Sequence, residues 1–440
     1  MNANLLATGL EQVKRTLTKF EIAYDMLLNE EARHRNSILP LMQIMDICPN
    51  LTELKYVTHG AFGLPSGTRV DTSIPCALTR LDIFQNLVID DEDFLSPDQL
   101  HMITARCPHL RMITMRHYDF NYLDVLEHDC RLQHMYFINI DTDIPSNIVL
   151  DHQQPGLRTL SIVSDAFELH ELWPFLSKHS ETLELLSFFL DRQHDFSGCK
   201  VTLPNVRELA LLQHAGAGGA NDREVASLVE RCPSLEAFSM LGGTLHENCL
   251  IALRELSRLQ SLSLQATRIG GNSLRPLLRN PGSLQLQQFR SYFLSVKELC
   301  LDALTEIKTL RKIRLNCYIH GVDDLQQAKV RYWIPFLERL KSSDNQLQSV
   351  ELDAIDFVND HDLETLGGLK RVKQVVLQRL PNITDQGIKT MIDLSPHTLK
   401  CLQVLDCMQI TALAEEYARR TLWERGGHLN CSPLEPCIHL

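Results

Sequence analysis

Leu259-Gln-Ser-Leu-Ser-Leu264 is the stretch that decides the fold. Apolar side chains hold its first, fourth and sixth places, and polar ones hold the third and fifth. Successive side chains of an extended chain point to opposite faces, so the fourth and sixth places share a buried face and the third and fifth look away from it. The same spelling occurs upstream as Leu235-Glu-Ala-Phe-Ser-Met240 and downstream as Leu310-Arg-Lys-Ile-Arg-Leu315, Leu347-Gln-Ser-Val-Glu-Leu352, Val372-Lys-Gln-Val-Val-Leu377 and Leu399-Lys-Cys-Leu-Gln-Val404. Toward the N-terminus it starts at Leu51, Leu78, Leu110, Leu132, Leu157, Leu183 and Val206, and a degenerate copy is read at Leu284. Most starts lie about 26 residues apart.

A period of that length suits one short strand followed by one helix, stacked on its neighbours because no single unit can bury its own apolar face. The segments between the motifs fit. After Leu264 comes Gly-Asn-Ser-Leu-Arg-Pro-Leu-Leu, and after Leu352 comes Asp-His-Asp-Leu-Glu-Thr-Leu; in both, polar capping residues precede an apolar stripe at helical spacing. Cys48-Pro-Asn-Leu51, Cys107-Pro-His-Leu110 and Cys232-Pro-Ser-Leu235 mark turns in which proline ends a helix before the next strand and cysteine serves as a small buried filler. The expected fold is an α/β leucine-rich-repeat solenoid, a horseshoe with parallel strands on the concave face and helices on the convex face. Its expected parts are an N-terminal helical cap over 1–45, an array of about 14 repeats over 46–412, and a C-terminal cap helix and tail over 413–440. Within the cap, Met1–Leu28 reads as one amphipathic helix with Leu10, Val13, Leu17, Phe20, Tyr24 and Leu28 on one side, either closing the first repeat or docking on a partner.

Val375-Val-Leu-Gln-Arg-Leu-Pro-Asn-Ile-Thr-Asp-Gln-Gly-Ile388 resembles the cysteine-containing class of leucine-rich repeat, with Leu380 where that class usually carries cysteine. The Cys-Pro-x-Leu turns resemble it too, over roughly residues 45 to 410. The class is best known from F-box/leucine-rich-repeat proteins, and the architecture is similar to the ribonuclease-inhibitor horseshoe. This resemblance implies a substrate-recognition subunit of a cullin-RING ubiquitin ligase. The F-box itself, a short helical module, is not found in residues 1–47: Ser37-Ile-Leu-Pro-Leu41 has a Leu-Pro pair, but Cys48-Pro-Asn-Leu51 follows too soon. A stand-alone adaptor, or a regulator or inhibitor that wraps its target, are the alternative readings.

A net charge of −12 with no dense Lys/Arg run argues against nucleic acid. No run of eighteen apolar residues suggests a membrane span, and the N-terminus does not read as a signal peptide. Thirteen scattered cysteines suit free thiols in a reducing compartment, so the cytoplasm or nucleus is expected. Gly216-Ala-Gly-Gly219 lacks the Gly-Lys-Ser/Thr of a phosphate loop, and Asp90-Asp-Glu-Asp93 reads as a solvated turn or an anchor for a basic partner. Cys401, Cys407, His428, Cys431, Cys437 and His439 lack zinc-ribbon spacing. The eighteen histidines form neither a His-Glu-x-x-His nor a nucleophile-elbow motif. No cofactor, no metal and no catalysis are expected, and the chain is expected to be a monomer until a protein partner, or a cullin-ligase adaptor, joins it.

A partner would meet the residues at motif positions three, five and seven. In the first and middle repeats these include Arg80, Phe84, Met112, His134, Tyr136, Ile138, Leu185, Phe189 and Leu212, an apolar and aromatic track with the composition of an interface core. Some position-seven side chains would instead tuck under the next loop. Further on, Lys312 and Arg314 form a basic spot suited to an acidic or phosphorylated segment, or merely a solvated surface. The long step from Leu310 to Leu347 holds Tyr332-Trp-Ile-Pro-Phe336, either a binding insertion or part of a packed helix.

Overall fold

The computed structural model describes residues 3–23, 40–58, 75–85, 95–116, 122–123, 125–126, 131–138, 156–163, 172–190, 200–213, 222–265, 267–269, 274–279, 284–295, 299–318, 327, 329–342, 345–395 and 398–430. They belong to two compact units, Met1–Phe189 and Leu190–Ile438.

In the first unit the elements run α1 (Ala3–Val13), β1 (Lys19–Ala23), α2 (Leu41–Ile47), β2 (Glu53–Thr58), β3 (Arg80–Gln85), α3 (Pro97–Ala105), β4 (Met112–Arg116), β5 (His134–Ile138), β6 (Thr159–Val163), α4 (Trp173–His179) and β7 (Leu185–Phe189). Each strand pairs in parallel with the next in chain order. The register puts motif position three of every repeat in one row, from Lys19 and Glu53 through Arg80, Met112, His134 and Thr159 to Leu185. Positions one, four and six point into the core: Leu51, Leu54 and Tyr56, like Leu78, Leu81 and Ile83, are buried. Ser96 opens α3 with a reciprocal capping box to Gln99, and Pro97 stands at the first helical turn, where its missing N–H costs nothing.

The second unit repeats the scheme with fuller helices. It runs β8 (Glu208–Leu212), α5 (Asp222–Glu230), β9 (Ala237–Leu241), β10 (Thr244–Leu245), α6 (Glu247–Arg254), β11 (Ser261–Gln265), β12 (Arg268–Ile269), β13 (Gln288–Ser295), α7 (Leu301–Leu304), β14 (Lys312–Tyr318), α8 (Ile334–Ser342), β15 (Ser349–Asp353), α9 (Asp360–Gly367), β16 (Gln374–Gln378), α10 (Asp385–Leu394), β17 (Cys401–Leu405), α11 (Ala412–Glu424) and β18 (His428–Asn430). β10 and β12 pair with each other, and the remaining strands form a parallel ladder in chain order. The architecture is therefore the expected α/β leucine-rich-repeat array.

The Ile-Thr-Asp-x-Gly signature has a physical basis here. Thr384 is the N-cap of α10, and its N–H and hydroxyl both donate to the Asp360 carboxylate of the preceding repeat, at 2.7 and 2.6 Å. One repeat on, Thr411 caps α11 and donates in the same way to Asp385, at 2.7 and 2.5 Å. Each aspartate at a helix start thus clasps the next helix start. Gly387 is required because a Cβ there would come within 2.1 Å of the Asp360 carboxylate. Cys407, buried and donating weakly to the carbonyls of Leu377 and Leu405, fills the cysteine place of the following repeat, which reads Leu402-Gln-Val404-Leu-Asp-Cys407-Met-Gln-Ile410-Thr411. Among the described residues no group of three or more His, Cys, Asp or Glu is placed to hold a metal ion.

Several expectations need correction. The N-terminal amphipathic pattern is not one helix: α1 ends at Val13, and Lys19–Ala23 is a strand paired with β2. Leu17-Thr-Lys-Phe-Glu-Ile22 is thus a repeat motif, and the array begins before residue 46. At the other end β18 pairs with β17, so residues 428–430 are a strand and not tail. The degenerate repeat is displaced by two residues, because Gln288 pairs with Ser261, which makes Leu286 its first position rather than Leu284. The helix expected after Leu264 is, among the described residues, only a 3-10 turn over Leu277–Arg279 behind Pro276. Trp333 and Phe336 belong to a packed helix: both are buried, with Trp333 edge-on to Phe357 at 5.4 Å. Cys48, Cys107 and Cys232 are buried turn fillers. The glycine run at 216–219, the acidic run at 90–93, and Cys431, Cys437 and His439 lie outside the described residues.

Candidate partner-binding face

Positions three, five and seven of the motif do share one face, opposite the core positions. Whether that face is open differs sharply between strands. In β1–β3 it carries a charge checkerboard: Lys19 pairs with Glu53 at 2.6 Å, Lys55 with Glu21 at 2.7 Å, and Arg80 with Asp82 at 2.8 Å. Phe84, half-buried, sits with the Lys55 ammonium 6.0 Å from its ring centroid. Arg80 is thereby tied to its own strand's carboxylate, which is buried, whereas the exposed Lys19–Glu53 and Lys55–Glu21 pairs contribute little to stability.

From β4 to β7 the outward face is closed. Met112 is 1% exposed, and His134, Tyr136, Ile138 and Phe189 are all buried, with Leu185 half-buried; in the second unit Leu212 is buried as well. The sequence expectation of an accessible apolar track over these residues is therefore corrected: they are packed, not presented. Alternation in the sequence shows which side of a strand a residue faces, and says nothing about what covers that side. The same face contains buried polar groups. His134 Nδ1 lies 3.0 Å from the Thr159 hydroxyl, while His134 Nε2 and the hydroxyl of Thr114 have no hydrogen-bond partner. Burial, aided by the nearby Arg158 charge, lowers the His134 pKa to about 4, so the imidazole is neutral at physiological pH.

On β9 and β11 the outward residues are half-buried, and on β13–β16 the face is mixed: Gln288, Arg290, Lys312, Arg314 and Gln374 are half-buried and Phe293 is exposed, while Ser349, Glu351, Asp353 and Val376 are buried. Register sets Arg290, Arg314, Glu351 and Val376 in one row, and Gln288, Lys312, Ser349 and Gln374 in the row beside it. Lys312 and Arg314 are together as expected, but they are not a free basic spot. Both reach the Glu351 carboxylate, at 2.5 and 3.4 Å, and Arg314 also lies over the Tyr292 ring at 4.7 Å. Burial raises the Tyr292 pKa, with Arg314 pulling the other way. At the rim, Asp353 receives two hydrogen bonds from Arg379, at 2.9 and 2.7 Å, and one from Asn316 at 3.2 Å. The Asn316 carbonyl oxygen in turn accepts from the Phe293 N–H at 3.3 Å.

Two residues of this face were missed by sequence reasoning, Arg290 and Phe293. Arg290 makes no hydrogen bond or ion pair among the described residues, and its Nε is buried without a partner. Phe293 is 56% exposed and has a left-handed backbone, φ +56°. Their signal was hidden by the two-residue displacement of that repeat and by the register shift between Ser291 and Leu294, which turns Phe293 outward against simple alternation.

No family model and no curated protein sequence matches the chain. Among solved structures it is similar to an internalin from Listeria monocytogenes str. 4b F2365, with 15% identity over 91% of this chain and 96% of that one, at a TM-score of 0.41. It is similar to the structure of the yeast Rad7 and Elc1 complex, with 12% identity over 94% of this chain and 86% of that chain, at 0.40. It is also similar to the TLR13–ssRNA13 complex, with 14% identity over 88% of this chain and 50% of that one, at 0.40. Such distant likenesses carry no argument about function. The chain's own register and motif spacing establish it as a leucine-rich-repeat array, and the outward residues of β13 and β14 form a charged, partly open part of its strand face.

Proposed function

We propose that the chain is a scaffold that holds another protein against the strand face of its second unit and performs no chemistry itself. The observation that carries this is the pair of side-chain rows on β13–β16. Neighbouring strands stand about 4.8 Å apart, so the rows form a stiff grid of charged and amide groups, half-buried on β13 and β14, with Tyr292 and the exposed Phe293 further along β13. A grid of that kind suits a protein surface or an extended peptide segment better than a small molecule, which needs an enclosing cavity. The net charge of −12 favours a protein over a nucleic-acid target. The described cysteines are thiols, all but Cys401 buried, which supports work in a reducing setting such as the cytoplasm or nucleus.

The finer reading is recruitment of that protein to a cullin-RING ubiquitin ligase. It rests on the resemblance of the Ile383-Thr-Asp-Gln-Gly387 repeat and the Cys-Pro-x-Leu turns to F-box/leucine-rich-repeat proteins. The alternative is a stand-alone adaptor or regulator. Isolation of the intact protein from its own cells, with quantitative mass spectrometry of the proteins that accompany it, separates the readings. A cullin and its adaptor at near-stoichiometric level support the ligase role. A stoichiometric partner with no cullin component supports the adaptor. No stoichiometric protein at all would contradict both.

A further inference from the structure

Arg290 and Arg314 are directly opposite each other on β13 and β14, and Lys312 stands one place along the same face of β14. Like charges placed opposite on a ladder destabilise it. Among the described residues the three cations share one carboxylate, Glu351, which is engaged by Lys312 and Arg314 and leaves Arg290 without an ion-pair partner. The other nearby carboxylate, Asp353, is occupied by Arg379 and Asn316. A local excess of positive charge thus persists on a protein whose net charge is −12. Three residues beyond Arg290, Phe293 presents an exposed ring from a left-handed backbone conformation that a bulky side chain rarely adopts. Uncompensated charge beside an exposed aromatic ring recurs at binding sites, where a ligand offsets the one and covers the other.

We propose that Arg290, Arg314 and Phe293 form a docking site for an acidic peptide segment of the partner protein, one that pairs an Asp or Glu carboxylate with an adjacent apolar side chain. The carboxylate bridges Arg290 and Arg314, supplying the charge that Glu351 cannot, because its two oxygens are already shared. The apolar side chain lies on the Phe293 ring. A long polyanion fits less well, since the acidic chain around the site repels charge beyond the first contact. This inference rests on the scaffold reading above and adds the chemistry of what is held.

The test uses the full chain and three fluorescein-labelled dodecapeptides, identical except at two central positions beside a leucine, which are both glutamate, both glutamine or both phosphoserine. Fluorescence polarisation is measured at low and high salt. The glutamate peptide is expected to bind at least tenfold more tightly than the glutamine peptide, with the preference shrinking as salt rises. Arg290→Gln should remove about tenfold of that affinity. Phe293→Asn, which keeps the left-handed turn available, should weaken the glutamate and glutamine peptides alike. Equal binding of glutamate and glutamine peptides, or an Arg290→Gln protein that retains full preference, would overturn the site. A phosphoserine peptide bound more than tenfold better than the glutamate one would overturn the carboxylate assignment. Partners captured from cells by Arg290→Gln as fully as by the parent chain would sink the acidic site while leaving the scaffold reading intact.

Discussion

At five strand ends of the second unit the backbone turns through the left-handed region: Gly242, Phe293, Ala354, Arg379 and Asp406. Each is the eighth residue of its motif. Only Gly242 is a glycine, and there the need is absolute, since a Cβ would sit 1.9 Å from the Gln213 carbonyl oxygen. The left-handed turn is therefore a property of the repeat, costing a non-glycine residue about 1–2 kcal/mol. Phe293 is the aromatic residue among them and its ring is exposed, so Phe293→Asn should leave the fold as stable or raise it by about 1 kcal/mol in urea unfolding, while weakening peptide binding. A loss of stability above about 2 kcal/mol would mean that the ring is a packing residue instead. His134 gives a second residue-scale prediction. Its folded pKa of about 4 lies below the ordinary 6.5. The unfolded chain therefore takes up a proton as pH falls below 6.5, and the folded one does not until about pH 4. The stability it contributes is complete above pH 6.5 and is lost across that window, by up to about 3 kcal/mol. Urea unfolding at pH 7 and pH 5 should show a smaller drop for His134→Gln than for the parent; equal drops would refute the assignment. Neither Phe293 nor the burial of His134 was legible in the sequence. One depends on a local register shift and the other on what covers the outward face.

Among elements, the helix starts are tied to one another by aspartates. Asp360 holds the N-cap of α10, and Asp385 holds that of α11, each through two hydrogen bonds. Asp385→Ala removes both bonds to Thr411 and should cost about 1 kcal/mol, the usual worth of a lost cap. Gly387→Ala should cost more, because the added methyl meets the Asp360 carboxylate and must displace the clasp as well. Hydrogen exchange over 411–424 reads the first and over 384–395 the second; protection unchanged in Gly387→Ala would show that the clasp does not order α10. This level was partly legible: the Ile-Thr-Asp-x-Gly spelling at 383–387 marks the helix start and its capping residues. What was not legible was that Cys407 takes the cysteine place one repeat later, since counting cysteines grouped it with unrelated ones.

For the whole chain, periodicity carried the fold. The Leu-x-x-Leu-x-Leu spelling located β2 through β9, β11 and β14 through β17, because core positions one, four and six must be apolar in every repeat. It failed at two repeats, one whose spelling also fits a helix and one that lacks it. Leu17-Thr-Lys-Phe-Glu-Ile22 was absorbed into a helical pattern because its apolar residues also fall near helical spacing, and the β13 repeat has Ser291 at its sixth position. The binding face was legible only as a list of outward positions. Lys312 and Arg314 were placed together, but their shared partner Glu351 comes from the next repeat and could not be read from either.

The central claim is that the strand face of β13–β16 holds a protein partner. Its most direct test compares proteins captured from cells by the parent chain, by an Arg290→Glu/Phe293→Ser variant of that face, and by a Leu413→Ser/Arg420→Glu variant of the exposed surface of α11. The account predicts that one set of partners is lost from the strand-face variant and kept by the α11 variant. Full capture by the strand-face variant, with loss confined to the α11 variant, would contradict it.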